Sequence, residues 1–236
     1  MIPAVKIENL KKTYKDVKAL KGVNLEIREG ELYGLLGLNG AGKTTLASIL
    51  CGLIPFDGGK VEIFGSDIQK EPDKVKTLTD ISPQETSVAP NLTVKENLEF
   101  FARIYGKSIE NVNRIIDEFS LNEVASKRAK TLSGGYARRL SIAIALVSEP
   151  RLLLLDEPTL GLDVLARREL WKIIKGLKER ITIILTTHYL EEIEELCDRV
   201  GILKNGEKLY DGTVEQLKTE TDETTFENAF VKLLEE

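Results

Sequence analysis

The stretch "GLNGAGKTT", residues 37–45, fits the spacing G-x-x-x-x-G-K-[ST] and follows the apolar run "ELYGLL". That spacing suits phosphate binding. Gly37, Gly40 and Gly42, with Leu38, Asn39 and Ala41 between them, let the backbone curl so that its N–H groups converge. A helix opening at about Lys43 adds the partial positive charge of its N-terminus. Lys43 is placed to reach β- and γ-phosphates, the Thr44 hydroxyl to bind Mg2+, and Thr45 to contact the α-phosphate. A second cluster, "LLLLDEPT" at 152–159, ends an apolar run on two carboxylates. Taken alone it reads as a solvated acidic turn. Coupled to a phosphate loop, Asp156 is placed to hold Mg2+, directly or through water, and Glu157 to polarise a water for in-line attack. His188 is the only histidine and follows the apolar run "ITIILTT". Its expected task is to contact the γ-phosphate and orient Glu157 and the water.

A further glycine pair stands in "TLSGGYARRLSIAIAL", residues 131–146. Ser133, Gly134 and Gly135 come directly before a helical run, so their side chain and N–H groups suit an anion at a helix N-terminus. A plain serine N-cap is the structural reading of the same residues.

These groups need elements to hold them. "AVKIENLKKTY", "GVNLEIREG" and "KVEIFG" read as strands of an antiparallel N-terminal piece, and "ELYGLLG" as a buried strand running into the glycine loop. A helix is expected from about Lys43 to Cys51, closed by Gly52 and Pro55. Val94, Leu98, Phe101 and Tyr105 recur at helical spacing, as do Val112, Ile115, Ile116 and Phe119, so residues 86–147 read as a helical insert. After that the chain alternates: strand "RLLLLD", helix 165–179, strand "ITIILTT", helix 190–196 and strand "RVGIL". Such alternation implies an α/β fold with a mostly parallel sheet. "LKNGEKLYDG" reads as a hairpin across Asn205-Gly206, and the last residues, from 222 or 223 to 236, as a short amphipathic helix.

The 236 residues suit one domain, or one domain with a subdomain. The net charge of −5 lacks the basic stripe of a nucleic-acid binder. Cys51 and Cys197 lie far apart in apolar contexts without metal-ligand spacing and read as buried free thiols. Residues 1–20 contain no apolar signal-peptide core, and no stretch approaches the ~20 apolar residues that cross a bilayer. Any membrane role is therefore expected to run through a partner.

Taken together, these motifs resemble the ATP-binding subunit of ABC transporters over essentially the whole chain. "GLNGAGKT" is similar to the Walker A motif, "LLLLDEPT" to Walker B and "LSGGY" to the ABC signature. "ISPQET" puts Gln84 at the Q-loop, "LGLD" puts Asp163 at the D-loop, and His188 takes the H-loop position. The resemblance implies a P-loop NTPase (RecA-like) core carrying an N-terminal antiparallel β-subdomain and an inserted α-helical subdomain. It implies that Tyr14 stacks on adenine with Ala19 on the same face, and that Gln84 binds Mg2+ and water. It further implies ATP and Mg2+ as cofactors and a second ATP-binding subunit, identical or a paralogue, whose ATP meets Ser133, Gly134, Gly135 and Asp163 of this chain. The implied setting is the cytoplasmic face of the cell membrane, beside a separate transmembrane permease. Residues from Thr86 to about Tyr105 would border the groove for that partner's coupling helix.

Export is the expected direction, since "PQETSVAPNLTVKENLEFFARIYG", "GLDVLARREL" and "YDGTVEQLK" resemble export-type ATPases. The alternative is a soluble ABC ATPase acting on ribosomes or nucleic acid. Those with long coiled coils between Walker A and signature are disfavoured, because only about 90 residues separate the two motifs here, without sustained heptads. Tyr136 departs from the family's usual Gln. A phenol cannot imitate an amide, which affects a ribose contact rather than the phosphate contact.

Overall fold

The structure, a computed structural model, describes residues 2–178 and 180–235. The chain opens with strands β1 (Val5–Tyr14) and β2 (Val17–Ile27), joined through Lys15 at φ 51°. Strand β3 (Leu32–Gly37) follows, buried at every residue, and leads through the glycine loop into helix α1 (Lys43–Leu50). Strands β4 (Gly58–Ile63) and β5 (Ser66–Asp67) return to β1 and complete a four-stranded antiparallel sheet in the order β2-β1-β4-β5. This is the expected N-terminal antiparallel piece.

Helix α2 (Pro72–Leu78) and strand β6 (Thr79–Ser82) were not legible in the sequence. Strand β6 buries polar residues at both its ends, Thr79 and Ser82, so it carries no apolar run. Its Ser82 hydroxyl is fully buried and is satisfied by Ser141 at 3.1 Å. Next come helices α3 (Val94–Ile104), α4 (Ile109–Glu118) and α5 (Gly134–Val147), with short 3-10 turns at Asn122–Val124 and Ala129–Thr131. Thr93 and Glu96 form a reciprocal capping box that starts α3. The first residues of the expected helical insert, 86–93, are not helical. They are pinned instead by the buried Asn97 side chain, which accepts from the Ala89 amide at 2.8 Å and donates to the Thr93 carbonyl at 2.8 Å.

The alternating half runs β7 (Leu152–Asp156), α6 (Val164–Leu177), β8 (Thr182–Thr187), α7 (Leu190–Leu196), β9 (Arg199–Lys204) and β10 (Glu207–Gly212). Helices α8 (Val214–Thr221), unforeseen, and α9 (Phe226–Glu235) close the chain. Glu179 and Glu236, at the ends of two expected helices, lie outside the described residues. The second sheet has the order β10-β9-β3-β8-β7-β6, parallel except for β10.

Strands β3, β7 and β8 are buried on both faces, which explains their unbroken apolar runs. Leu35, Leu46, Ile49, Leu152 and Leu154 join the antiparallel sheet to one face, and Leu153, Leu155, Leu140, Ile174 and Leu185 join the helices to the other. Each such side chain contributes about 1.5–3 kcal/mol of burial. Parallel register then aligns the strand ends: Leu36 opposes Thr187, and Asp156 opposes Thr186. The glycine loop, the acidic pair and His188 thus emerge at one carboxyl edge, where ligands of open α/β sheets bind. No helix among the described residues is long and apolar enough to cross a membrane.

Candidate active site

The glycine loop is shaped by what presses on it. Gly40 and Gly42 take φ of 80° and 107°, values that disfavour any side chain. A Cβ on Gly42 would also stand 2.7 Å from the Ala19 carbonyl of β2. The antiparallel sheet therefore closes over the loop only because Gly42 is bare. Gly42 is the N-cap of α1 and supplies no side-chain acceptor, which leaves the first amides of the helix available to an anion. Lys43 is buried, and its Nζ donates to the Gly37 carbonyl at 2.6 Å and the Leu38 carbonyl at 3.5 Å. The same Nζ lies 3.5 Å from Glu157 Oε1.

Asp156 and Glu157 sit directly across from that lysine. Both are more than nine-tenths buried, at 3% and 7% exposure, so the solvated-turn reading fails. Asp156 Oδ1 accepts from Thr186 Oγ1 at 2.5 Å and from Thr44 Oγ1 at 3.4 Å. Glu157 is held at φ 48°, a strained value for a side-chain-bearing residue, costing about 1–3 kcal/mol. Its amide offsets this by donating to the Thr186 carbonyl and hydroxyl, both at 3.1 Å. His188 Nδ1 stands 2.8 Å from Glu157 Oε2. The carboxylate is thus gripped between a lysine and an imidazole.

Lys43, Glu157 and His188 line one cleft of about 640 Å³, and Asp156 meets it through its hydrogen bond with Thr44. Its walls include Tyr14 and Ala19 from the antiparallel sheet, the loop from Leu38 to Thr45, Gln84, Glu157 and His188. Tyr14 is 45% exposed on this cleft, with Lys12 Nζ 5.2 Å from its ring centre. Thr44 Oγ1 and Asp156 Oδ1 are two hard oxygen donors at the loop edge. That donor set fits Mg2+, which takes few protein oxygens alongside substrate phosphates. Gln84 is exposed on the same cleft.

Ser133, Gly134, Gly135 and Asp163 do not line this cleft. Ser133 has the backbone of an N-cap, but its hydroxyl makes no capping bond, which corrects the plain N-cap reading. Ser133 and Gly134 are exposed, and a Cβ on Gly135 would stand 3.0 Å from Ala166 Cβ of α6. Asp163 caps α6, accepting from the Leu165 and Ala166 amides at 2.9 Å. Tyr136 is partly buried against the helical core, with the Arg139 guanidinium 5.1 Å from its ring centre.

Sequence reasoning missed several supporting residues. Thr186 binds Asp156, and Val17, Lys18, Lys21, Leu160 and Asn205 complete the cleft wall. Glu192 is fully buried and accepts from Thr159 at 2.7 Å, Thr187 at 2.5 Å and Trp171 at 3.4 Å. Burial pushes its carboxyl up from the ordinary range. Its signal was present as a glutamate at helical spacing among Ile193 and Leu196, on the inner face of α7. Both cysteine thiols are pushed up by burial, as inert core thiols are.

The sequence model of the family described as "ABC transporter" matches residues 20–160. The chain is 41% identical over 211 residues to the linearmycin resistance ATP-binding protein LnrL of Bacillus subtilis, covering 87% of this chain and 68% of that one. It is 39% identical over 221 residues to the daunorubicin/doxorubicin resistance ATP-binding protein DrrA of Streptomyces peucetius, covering 92% and 67%. It is also 40% identical over 215 residues to the Nod factor export ATP-binding protein I of a Rhizobium species, covering 89% and 71%. Among solved structures, an ATP-binding subunit of an ABC transporter superposes with a TM-score of 0.87 at 29% identity, over 98% of this chain and 99% of that chain. A dimeric ATP-binding cassette in a post-hydrolysis state, bound to ADP and Pi, superposes with a TM-score of 0.79 at 28% identity, over 89% and 98%. With the phosphate loop, the buried acidic pair and the histidine gathered at one sheet edge, this chain belongs to the ABC transporter family as an ATP-binding, ATP-hydrolysing subunit.

Proposed function

We propose that residues 1–236 act as one ABC ATPase domain, with 86–147 as its helical subdomain and 222–236 as a C-terminal extension, and that it powers an export-type permease. The observation that carries the catalytic part is the grip on Glu157, whose two carboxylate oxygens face Lys43 Nζ at 3.5 Å and His188 Nδ1 at 2.8 Å. In this reading the loop amides from Gly37 to Thr45 and the Lys43 ammonium bind the ATP phosphates. Tyr14 and Ala19 receive the adenine face. Thr44 and Asp156, with Gln84, hold Mg2+. When bound, the ion neutralises charge on the β- and γ-phosphate oxygens.

Glu157 accepts the proton of the water that attacks the γ-phosphorus. His188 keeps the carboxylate turned toward that water, and Lys43 balances the charge left on the phosphoryl oxygens. Ser133, Gly134, Gly135 and Asp163 serve the ATP bound by a second ATP-binding subunit, so two subunits close around two nucleotides. Their outward position on this chain supports that assignment.

Export follows from the relatives, whose names are those of drug-resistance and Nod factor export ATP-binding proteins. The permease is a separate chain, docked near residues 86–105, and it holds this subunit at the cytoplasmic face of the membrane. Nucleic acid is not a partner in this reading, in keeping with a net charge of −5.

Two measurements test the proposal. Glu157→Gln should hydrolyse MgATP at least about 100-fold more slowly and run as an ATP-stabilised dimer by light scattering. Normal turnover would remove Glu157 from the role of base. Affinity purification from detergent-solubilised membranes should bring down a polytopic membrane protein. Recovery of ribosomal proteins alone would move the chain to the non-transport class.

A further inference from the structure

Arg138 lies on the second turn of α5, five residues beyond Ser133, and is 4% exposed. An arginine so placed needs partners for its donors, because an unpaired buried charge is costly. Every hydrogen bond it makes goes to a backbone carbonyl. Nε donates to Pro158 at 2.8 Å and Nη2 to Asp156 at 2.6 Å. Nη1 donates to Pro83 at 2.5 Å and to Gln84 at 3.3 Å. Burial draws the guanidinium down to about 10, against the charges of Asp156, Glu192 and Glu157, which leaves it protonated at neutral pH.

The choice of carbonyls matters. Asp156 and Pro158 bracket Glu157, the residue held at φ 48°. Pro83 and Gln84 form the segment that leaves β6 toward the helical insert. One rigid guanidinium fork thus joins the helix that begins at Ser133, the turn that aims the general base, and the strand exit that carries Gln84. A lysine offers a point charge and cannot span three separate segments in this way.

We propose that Arg138 is a positioning residue, transmitting the seat of the Ser133–Gly135 helix end to the aim of Glu157 and Gln84. The inference rests on the reading in which Ser133–Gly135 engage a second subunit's ATP. When that contact draws α5 inward, Arg138 moves with it and carries the backbone on either side of Glu157. Arg138 does not line the nucleotide cleft.

The test compares wild type, Arg138→Gln, Arg138→Lys, Ser133→Ala and the Ser133→Ala/Arg138→Gln double variant, all assayed with MgATP well below their melting temperatures. Arg138→Gln should lower kcat by about 10- to 100-fold, the loss that a misplacement near 1 Å produces, and leave KM within about threefold. Arg138→Lys should recover only part of that loss. The double variant should be no slower than the worse single variant, since both interrupt one relay. Unchanged kcat in well-folded Arg138→Gln, or full activity in Arg138→Lys, overturns the proposal. So does strict multiplication of the two single effects. If Arg138→Gln does not fold, Arg138→Lys and its own double with Ser133→Ala decide the matter by the same criteria. A Ser133→Ala variant with wild-type kcat sinks the two-subunit reading, and the Arg138 relay with it. A slowed Ser133→Ala beside an unaffected Arg138→Gln sinks only the relay.

Discussion

Two glycine-rich turns in this chain open helices, at residues 37–42 and at 133–135, and their surroundings differ sharply. Around the first, charged and polar groups converge: Lys43, Asp156 and Glu157 are buried, and each is matched by a partner within the same chain. Around the second, Ser133 and Gly134 face outward and the serine hydroxyl makes no capping bond to the helix it opens. The first turn is a site complete in its charges. The second presents exposed donors outside that cleft. Exposed helix-end amides cost little in water and become a binding resource once an anion covers them.

The largest effect should come from the complete site. Lys43→Ala removes the buried ammonium that faces Glu157, and should lower kcat/KM for MgATP by at least about 1000-fold with weakened nucleotide binding by the isolated chain. Unaltered binding to that variant would dissolve the contrast between the turns. Ser133→Ala should sharpen it. Here kcat should drop about 10- to 100-fold, while a fluorescent ATP analogue binds the isolated chain as tightly as before.

Tyr136→Gln should leave hydrolysis within about threefold of wild type. The phenol packs on the helical core beside Arg139, so its loss should instead lower the melting temperature by about 2–4 °C for each kcal/mol. A well-folded but inactive variant would show that the phenol does chemistry.

The smallest effect concerns Glu192, beside Thr159, Thr187, Trp171, Glu157 and Cys197. Its folded-state pKa lies above the ordinary 4.5, so folding takes up a proton at pH values between the two. The stability this group lends therefore falls as pH rises through that window and is level on either side. Glu192→Gln should flatten the slope of melting temperature against pH there. An unchanged slope would mean that other carboxylates govern it.

Much of this was legible in the residues themselves. Strands β3, β7 and β8 announced themselves as continuous apolar runs because both of their faces are covered. Strand β6 did not, since its edge position and its Ser82–Ser141 contact ask for polar residues. Helix α8 was hidden by a mostly polar composition, with only Leu217 and Thr221 buried. Lys43, Asp156, Glu157 and His188 were readable from motif spacing; Lys43, Glu157 and His188 line one cleft, and Asp156 lies within hydrogen-bond reach of Thr44 on its wall. Thr186 and Arg138 were not readable, because each acts on a residue distant in sequence and no local pattern marks such a partner.

The sequence alone determined the chemistry on offer: a glycine loop ending in Lys43 and Thr44, two carboxylates after an apolar run, and one histidine after another. Local spacing suffices there, since loop curvature and helix N-termini are short-range properties. Tertiary structure alone decided which groups meet. Parallel register brought Gly37, Asp156 and His188 to one edge, and the antiparallel sheet's approach over Gly42 set the depth of the cleft. It also left Ser133 exposed and outside that cleft. Contacts between segments more than a hundred residues apart depend on how buried faces pack, and packing is a property of the whole fold.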